Sequence, residues 1–547
     1  MFSSKFPNSF FLKGFPIFFY CLCLFVFINL VAYVFYTRQY PQWDEHHYLS
    51  MAVKFYDILR HPTLDSYKII LSVSGSRQPL IGLIYAFPLF FVGTQFTYKS
   101  ALLLNGVFYV FSILGVYGIA RQFLSKLGSL TASVFFAFYG HNLFYIHFTY
   151  SETAVTTCIV FSFYFLLKNE SFLNRKFTIL SALFLEAAIL IRWIAPIFLV
   201  GSFVFVSFPL LRKRVRGIGD RGAIINWVLF LLVAFGIPLV TYYLPNFKEF
   251  YDYVRRNQTY GPEWVALYRD SDLANTFSTR SLMYYLNILS QNTVFIFSFF
   301  VVGLLVALRK FKKYIALLVT FIIPYCFFTF IVIWKEDRFI VPIYPVVAIL
   351  SALPLDYIKS TTIKMLYFWS VVVVSLLVFF GALWGVGPMG KRGLTDLVLP
   401  AFIHHPRRIY LTPLVWPPTR EYLNADQIVK VIEEDRGKSS VQVVSLFSFE
   451  PIDNALYSIL TYEKRNSFIY ESYNPQNDKS FGKIEVADYY LTKEETLASA
   501  VSRLNLVSNS RSPVSGESMG ILIGTVSIPM DGSSVFIYRS QMKHETI

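Results

Sequence analysis

Residues 15–36 read FPIFFYCLCLFVFINLVAYVFY, an apolar run that carries no charged side chain. A helix of about 20 such residues crosses the hydrocarbon core of a bilayer. Ten similar runs follow it, at residues 99–120, 127–148, 150–167, 176–191, 193–211, 223–244, 285–308, 313–333, 339–357 and 364–386. The pattern predicts a mainly α-helical, polytopic membrane protein with about eleven transmembrane helices.

The composition supports this class. Of the 547 residues, 55% are hydrophobic and 15% are charged, against about 25% charged residues in soluble proteins. The formal net charge is +15, but the basic residues fall mainly in short loops between apolar runs. This placement indicates membrane topology, so we expect no nucleic-acid partner. All four cysteines lie inside predicted spans, which argues against a disulfide framework.

One short apolar segment, residues 79–93, decides the orientation of everything after it. Its length of about 15 residues suits a re-entrant or interfacial helix better than a crossing. If it does not cross, five basic loops face the cytoplasm, as the positive-inside rule requires. These loops lie at residues 121–126, 168–176, 212–221, 309–313 and 359–364. We therefore predict an inside N-terminus and an outside C-terminus.

Three segments then lie outside: residues 37–98, residues 245–284 and the tail. We predict two domains, a transmembrane catalytic domain at 1–386 and an extracytoplasmic soluble domain at 387–547. Short apolar runs in the tail alternate with helix-like stretches, which predicts an α/β domain. The apolar runs are Val441–Phe447, Ile484–Leu491, Gly520–Ile528 and Ser534–Tyr538, and the helical stretches are Ala425–Glu434 and Lys493–Leu504. No chemistry is assigned to this domain.

The first outer loop carries Trp43-Asp44-Glu45-His46-His47-Tyr48. Adjacent carboxylates at a membrane surface suit a general-base pair. The alternative is the start of an amphipathic helix, because acidic residues are favourable in the first turn. Neighbouring histidines point in different directions on a helix, so we expect no metal site. A divalent cation, if one binds, is expected near Asp44 and His46.

Further charged residues lie at the predicted outer face. Each has a structural explanation: an interfacial anchor, a helix cap or a local ion pair. Glu186 is the obvious structural partner for Arg192, because both lie in one predicted hairpin. Together, however, these groups form carboxylate bases and a cationic cradle at one depth, which suits a lipid phosphate. The cradle and its neighbours are Arg77, Glu152, Arg192, Lys335 and Arg338.

The order of these motifs resembles the GT-C superfamily of membrane glycosyltransferases. Trp43-Asp44-Glu45 is similar to the Asp-Glu signature of protein O-mannosyltransferases and lipid A aminoarabinose transferases. Arg77-Gln78-Pro79-Leu80 resembles their Pro-Pro-Leu or Lys-Pro segment, and Ser151-Glu152 takes the place of an outer acidic residue. The run from Lys335 to Pro345 is similar to the Arg-Tyr…Pro…Pro and His-Lys-Glu…Arg-Phe…Pro motifs of mannosyltransferases. Gln78 and Trp334 depart from those patterns, and the subfamily stays open.

The resemblance implies an inverting glycosyltransferase with a polyprenyl-phosphate sugar as donor. Asp44, or else Glu45, would take the proton of an acceptor hydroxyl. The donor phosphate would be bound by Arg77, Arg192, Lys335 and Arg338. The acceptor would be oriented by Tyr48 and by Glu152, unless Glu152 holds a cation in place. The outer loop 245–284 would cover the site. The chemistry requires no cofactor, and the acceptor is a lipid, a glycan or a protein.

Two other functions fit a polytopic membrane protein. A lipid or glycan transporter or flippase predicts midplane charges and an internal repeat, and the sequence shows few of the former and none of the latter. A glycan ligase would use a lipid-diphosphate donor in the same fold. Since the tail lacks cysteine, we expect the inner membrane of a bacterium, with the site and the C-terminus extracytoplasmic.

Overall fold

The computed structural model describes residues 8–37, 44–215, 221–268, 275–291, 294–333, 335–384, 396–399, 407–410, 425–436, 441–445, 468–472, 489–492, 520–527 and 534–540. The chain divides into two compact units. The first comprises residues 1–35, 58–84 and 102–417, and the second comprises residues 36–57, 85–101 and 418–547. The domain boundary between residues 386 and 387 stays a prediction.

Residues 8–384 are helical over most of their described length. The α-helices are α1 (Asn8–Tyr36), α2 (Asp44–Arg60), α3 (Ser66–Ser74), α4 (Leu80–Ala86), α5 (Leu89–Val92), α6 (Thr97–Phe123), α7 (Lys126–Ala137), α8 (Gly140–Tyr145), α9 (Glu152–Lys168), α10 (Arg175–Ile191), α11 (Val200–Val215), α12 (Arg221–Leu231), α13 (Phe247–Tyr268), α14 (Thr279–Gln291), α15 (Val294–Arg309), α16 (Phe311–Phe330), α17 (Tyr344–Ala352) and α18 (Thr361–Trp384). Two π-helical turns, Leu232–Gly236 and Leu239–Tyr243, extend α12. A helix satisfies its own backbone hydrogen bonds, which a bilayer demands.

Among the described residues, six helical segments are long and apolar enough to cross a membrane. They are Pro16–Tyr36, Thr94–Phe123, Arg221–Tyr243, Phe311–Phe330, Asp337–Tyr357 and Thr361–Phe380. Their length and composition confirm a multi-pass membrane protein. The other predicted spans contain shorter or interrupted helices, so the count of eleven crossings and the orientation stay predictions.

The decisive segment 79–93 is broken in the structure. It contains α4, with seven residues, and α5, with four. Pro88 stands immediately before α5. A crossing needs about 20 continuous helical residues, so this break favours the interfacial interpretation.

Two interrupted segments place the functional side chains of the first unit. One runs through α7 and α8 to the start of α9. The other is the 3₁₀-helix Asp337–Ile343, which leads into α17, with Pro342 inside it and Pro345 in the first turn of α17. Pro342 has no backbone N–H to donate, which suits an irregular helix. Asp356, beyond α17, accepts a hydrogen bond from the backbone N–H of Ser125, the N-cap of α7, at 2.7 Å.

A glycine permits close packing of α15 against α17. A Cβ atom added at Gly303 would lie 1.8 Å from the carbonyl oxygen of Leu350. No side chain fits at that distance, so the contact requires glycine. This contact helps to hold α17, which follows the 3₁₀-helix, in place.

The second unit contains a five-stranded mixed sheet in the order β4-β3-β5-β7-β6. Its strands are β3 (Val441–Ser445), β4 (Phe468–Ser472), β5 (Tyr489–Thr492), β6 (Gly520–Ser527) and β7 (Ser534–Ser540), and β3 is parallel to both β4 and β5. Helix α19 (Ala425–Arg436) packs on β6 and β7. A separate antiparallel pair, β1 (Asp396–Leu399) and β2 (Arg407–Tyr410), belongs to the first unit.

This sheet confirms the predicted α/β character of the tail. Four predicted strands and the first predicted helix are present. The second predicted helix, Lys493–Leu504, lies outside the described residues. Asp435 fixes α19 to the sheet, because it accepts hydrogen bonds from the Tyr489 hydroxyl at 2.9 Å and from Arg539 at 3.0 Å.

Candidate active site

Glu152 and Arg192 meet at one end of a helical hairpin. Helix α9 begins at Glu152 and α10, which packs along it, ends just before Arg192. The two side chains form an ion pair and are 2% and 18% exposed respectively. A carboxylate buried this deeply is costly unless a cation compensates it. The pairing corrects the sequence-based expectation, which took Glu186 as the partner of Arg192.

Arg338 brings a second guanidinium group to the same carboxylate. Its Nε lies 3.8 Å from Oε1 of Glu152, the oxygen that contacts Arg192, and it also pairs with Glu336. The Phe339 ring centroid lies 4.8 Å from the guanidinium carbon of Arg192 and 5.9 Å from that of Arg338. An aromatic ring at this distance attracts a cation. We call Glu152, Arg192, Glu336, Arg338 and Phe339 the arginine cluster.

Asp337 lies next to the arginine cluster in sequence but has different partners. Its Oδ1 accepts hydrogen bonds from the Tyr145 hydroxyl at 2.6 Å and from the backbone N–H of Arg338 at 3.0 Å. Nε2 of the fully buried His141 lies 3.6 Å from Oδ2. The Asp337 side chain is 33% exposed, against 13% for Glu336. It is therefore the most accessible of the three carboxylates.

Lys335 binds backbone carbonyl groups at the end of a neighbouring helix. Its ammonium group donates to the carbonyl oxygens of Phe328 at 3.0 Å, Thr329 at 2.6 Å and Val332 at 3.1 Å. These carbonyl groups lie at the end of α16, where the helix leaves them unsatisfied. Burial also lowers the pKa of Lys335 from 10.5 to about 8. An ammonium group has three donors, and in this structure they serve backbone carbonyl groups. A phosphate-binding role for Lys335 stays a prediction.

Arg77 lies in the first unit, in the loop between α3 and α4. Gly75, with a φ of +56°, ends α3, and its carbonyl oxygen accepts a hydrogen bond from the Tyr242 hydroxyl at 3.1 Å. The neighbouring Tyr243 donates to the carbonyl oxygen of Ile189, in the last turn of α10, at 3.2 Å. The loop is thus tied to the helix end that precedes Arg192. A phosphate-binding role for Arg77 stays a prediction.

The segment predicted to cover the site, residues 245–284, also starts near Arg192. Phe250, in the first turns of α13, packs edge-on against Trp193 with ring centroids 5.8 Å apart. The exposed rings of Phe247 and Tyr251 stack on the same helix. Its covering role stays a prediction.

Asp44 and Glu45 open α2 in the second unit. They occupy the first turn, where negative charge is favourable, as the helix-start alternative predicts. Glu45 and Tyr48 are buried and Asp44 is half-buried. Trp43 lies outside the described residues. The catalytic role of Asp44 and Glu45 and the orienting role of Tyr48 stay predictions.

Sequence reasoning overlooked His141 and Tyr145, and it considered Asp337 only as a local ion-pair partner. His141 falls inside the apolar run 127–148, where an ionisable residue is uncommon and typical of a functional site. The sequence therefore contained a signal that could have identified His141. Tyr145 carried no signal of its own, since the chain has 37 tyrosines.

In the described part of the chain, no three His, Cys, Asp or Glu residues are grouped so that they could hold a metal ion. Glu152 and Asp337 have their own cation or hydrogen-bond partners. A divalent cation near Asp44 and His46 stays a prediction.

No protein-family model matches the sequence, and no curated protein matches it. Several solved structures are similar to it. ArnT from Cupriavidus metallidurans in the apo state matches with a TM-score of 0.55 at 12% identity, over 97% of this chain and 98% of ArnT. ArnT bound to undecaprenyl phosphate matches with a TM-score of 0.54 at 12% identity, over 96% and 98%.

The apo oligosaccharyltransferase of Archaeoglobus fulgidus is also similar. Its TM-score is 0.51 at 13% identity, over 98% of this chain and 76% of the oligosaccharyltransferase. At these identities the likeness concerns the fold and leaves the reaction open. This chain therefore shares its fold with ArnT and with the apo oligosaccharyltransferase, which agrees with the resemblance that its motifs predicted.

Proposed function

We propose that this protein transfers a hexosyl or pentosyl group from a polyprenyl-phosphate sugar to an acceptor hydroxyl, with inversion at the anomeric carbon. The arginine cluster is the observation that carries the proposal. It places two guanidinium groups on one buried carboxylate, within a fold shared with an enzyme crystallised with undecaprenyl phosphate. The acceptor is a lipid, a glycan or a protein.

Arg192 and Arg338 can bind phosphate without giving up Glu152. A guanidinium group carries five N–H donors in a plane, and a carboxylate uses only part of them. Both side chains are 18% exposed, so part of each donor set is accessible. Phe339 supports both cations and limits their movement, which favours a preorganised site.

The charge of the site supports a monophosphate donor over a diphosphate donor. Glu152, Glu336 and Asp337 outnumber the guanidinium groups of Arg192 and Arg338 by one. A lipid-monophosphate sugar is a phosphodiester with one negative charge, whereas a lipid-diphosphate sugar carries at least two. Because an uncompensated negative charge repels further anions, these five side chains suit the donor of lower charge.

The proposed reaction has four parts. The acceptor oxygen forms a bond to the anomeric carbon on the face opposite the phosphate. The bond from that carbon to the phosphate oxygen breaks, and its electron pair stays on the phosphate. Arg192 and Arg338 stabilise the charge that develops there. Asp44, or else Glu45, takes the acceptor proton, as the resemblance implies, and this step needs no metal ion.

Direct binding of undecaprenyl phosphate tests the site. Full-length protein in lipid nanodiscs is titrated with undecaprenyl phosphate and, separately, with undecaprenyl diphosphate. Loss of a hydrogen bond to a charged group costs about 1.5–3 kcal/mol. We therefore expect Arg192→Gln and Arg338→Gln each to weaken monophosphate binding by roughly 10-fold or more.

Arg175 provides a matched control. It is exposed and begins α10, whereas Arg192 follows the end of that helix. Arg175→Gln should bind undecaprenyl phosphate like the wild type. Equal binding by all three variants, or tighter binding of the diphosphate, would contradict the proposed donor. Transfer is then assayed with a panel of radiolabelled undecaprenyl-phosphate hexoses and pentoses.

We also propose that the protein lies in a bacterial inner membrane with its site and C-terminus extracytoplasmic. The basic loops between predicted spans support this orientation. It would place the reaction on the side where a flipped lipid-linked sugar is exposed.

A further inference from the structure

Asp337 differs from the other carboxylates of the site in the charge of its partners. Glu152 and Glu336 pair with arginine side chains. Asp337 is held by a phenol hydroxyl, a backbone N–H and a nearby imidazole. Among the described residues, no arginine or lysine side chain pairs with it. The three carboxylates outnumber the two guanidinium groups by one, and Asp337 is the carboxylate that is left over.

The site also offers more hydrogen-bond acceptors than it uses. A carboxylate has about four lone-pair directions, and the contacts of Asp337 leave part of this capacity open on a side chain that is 33% exposed. Glu152 adds a second case. Its Oε2 is buried and has no hydrogen-bond partner within the described residues. A buried acceptor without a hydrogen bond is unfavourable, so a substrate hydroxyl that donates to it would be bound more tightly.

The chemistry of a fitting acceptor substrate follows. The carboxylates repel the negative charge of a phosphate, and they have no hydrogen-bond donor for its oxygen atoms. A neutral hydroxyl group brings the hydrogen-bond donor that the carboxylates lack, and it adds no charge. A sugar or a serine or threonine side chain presents such a group.

We propose, on the basis of the proposed transferase function, that Asp337 binds the acceptor by accepting a hydrogen bond from a neutral hydroxyl group. The acceptor is therefore a glycan or a hydroxyl-bearing peptide, and an acceptor that presents phosphate is disfavoured. Tyr145 and His141 are positioning residues. The Tyr145 hydroxyl donates a hydrogen bond to Oδ1, and Nε2 of His141 lies 3.6 Å from Oδ2.

The geometry gives Asp337 a role that is separate from donor binding. The guanidinium groups would hold the phosphate, whereas Asp337 would hold the group that attacks. Arg338 and Asp337 are adjacent in sequence, so one short segment would contact both the donor and the acceptor. No proton transfer is assigned to Asp337, because the step depends on a base for which Asp44 is proposed.

The test measures acceptor KM and donor binding on the same full-length protein in nanodiscs. Acceptor probes are a neutral oligosaccharide, a threonine-containing peptide and a phosphorylated disaccharide lipid. We expect transfer to a neutral probe. Asp337→Asn should raise the KM for that probe roughly 10- to 100-fold, the effect of weakening one charged hydrogen bond. It should change the Kd of undecaprenyl phosphate less than twofold.

Two further variants separate binding from a structural role. Tyr145→Phe should raise the acceptor KM about 10-fold, because it releases one oxygen of Asp337. Asp65→Asn changes an exposed aspartate outside the cluster and should leave the KM unchanged. A merely structural Asp337 would instead lower the melting temperature and weaken donor binding in Asp337→Asn.

The outcomes are distinguishable. Normal transfer by Asp337→Asn with an unchanged acceptor KM would overturn this inference and leave the proposed function intact. Transfer confined to the phosphorylated lipid would do the same. Wild-type protein that neither binds undecaprenyl phosphate nor transfers from any donor of the panel would overturn the proposed function itself.

Discussion

Glu152→Gln should destabilise the first unit because it removes the charge shared by two guanidinium groups. At a separation of about 4 Å and an effective dielectric constant of about 20, each attraction is worth about 4 kcal/mol before desolvation. Arg338 keeps Glu336, so Arg192 is the cation that loses its carboxylate. Removing one partner of a buried pair costs about 3–5 kcal/mol. Because Arg192 is 18% exposed, we expect a loss near the lower end, about 3 kcal/mol.

The assay is unfolding by sodium dodecyl sulfate in mixed micelles, analysed as a double-mutant cycle. Arg192→Gln is the second single variant, and the double variant should cost less than the sum of the two. A matched control is Glu249→Gln, an exposed carboxylate in the first turn of α13, for which a surface change predicts less than about 0.5 kcal/mol. If Glu152→Gln costs no more than this control, or if the coupling is zero, the buried ion pair is not the stabilising contact described here.

Three other predictions concern packing, titration and topology. Gly303→Ala should destabilise by at least about 1–3 kcal/mol through overpacking, whereas Gly106→Ala, whose added Cβ has its nearest neighbour at 3.7 Å, should be tolerated in the same thermal-melting assay. Lys335 releases its proton at a lower pH in the folded state than in the unfolded state, so stability should rise between about pH 8 and 10.5, and the slope should disappear in Lys335→Met. In a background without native cysteines, a membrane-impermeant thiol reagent applied from outside should label Asp65→Cys and leave Lys126→Cys unmodified; labelling of both positions would mean that residues 79–93 cross.

Part of the site was predictable because charge in an apolar sequence is rare. Glu152, Arg192 and Arg338 stood out for that reason, and the structure brings them into direct contact. Their pairing was not predictable from local spacing. Glu186 is nearer to Arg192 along the chain, but the hairpin returns the end of α10 to the start of α9.

Lys335 shows a different limit. Its position in a charged motif suggested a phosphate ligand, but the motif says nothing about where α16 ends. The helix leaves carbonyl groups unsatisfied at that end, and the ammonium group reaches back to them. The tail gives a similar contrast. Strand β3 was predicted from its apolar run, whereas β4, Phe468–Ser472, with its mixed polarity, was not.

The distance along the chain between Glu152 and Arg192 has a consequence for biogenesis. The two residues are 40 positions apart, because Glu152 begins the first helix of the hairpin and Arg192 follows the second. During synthesis the acidic end emerges well before its basic partner, and either charge alone is costly in hydrocarbon. Insertion of the two helices as a pair is therefore more favourable than insertion one at a time, because the two charges can then neutralise each other. The same contact that prepares the site would then also time the insertion of this part of the protein.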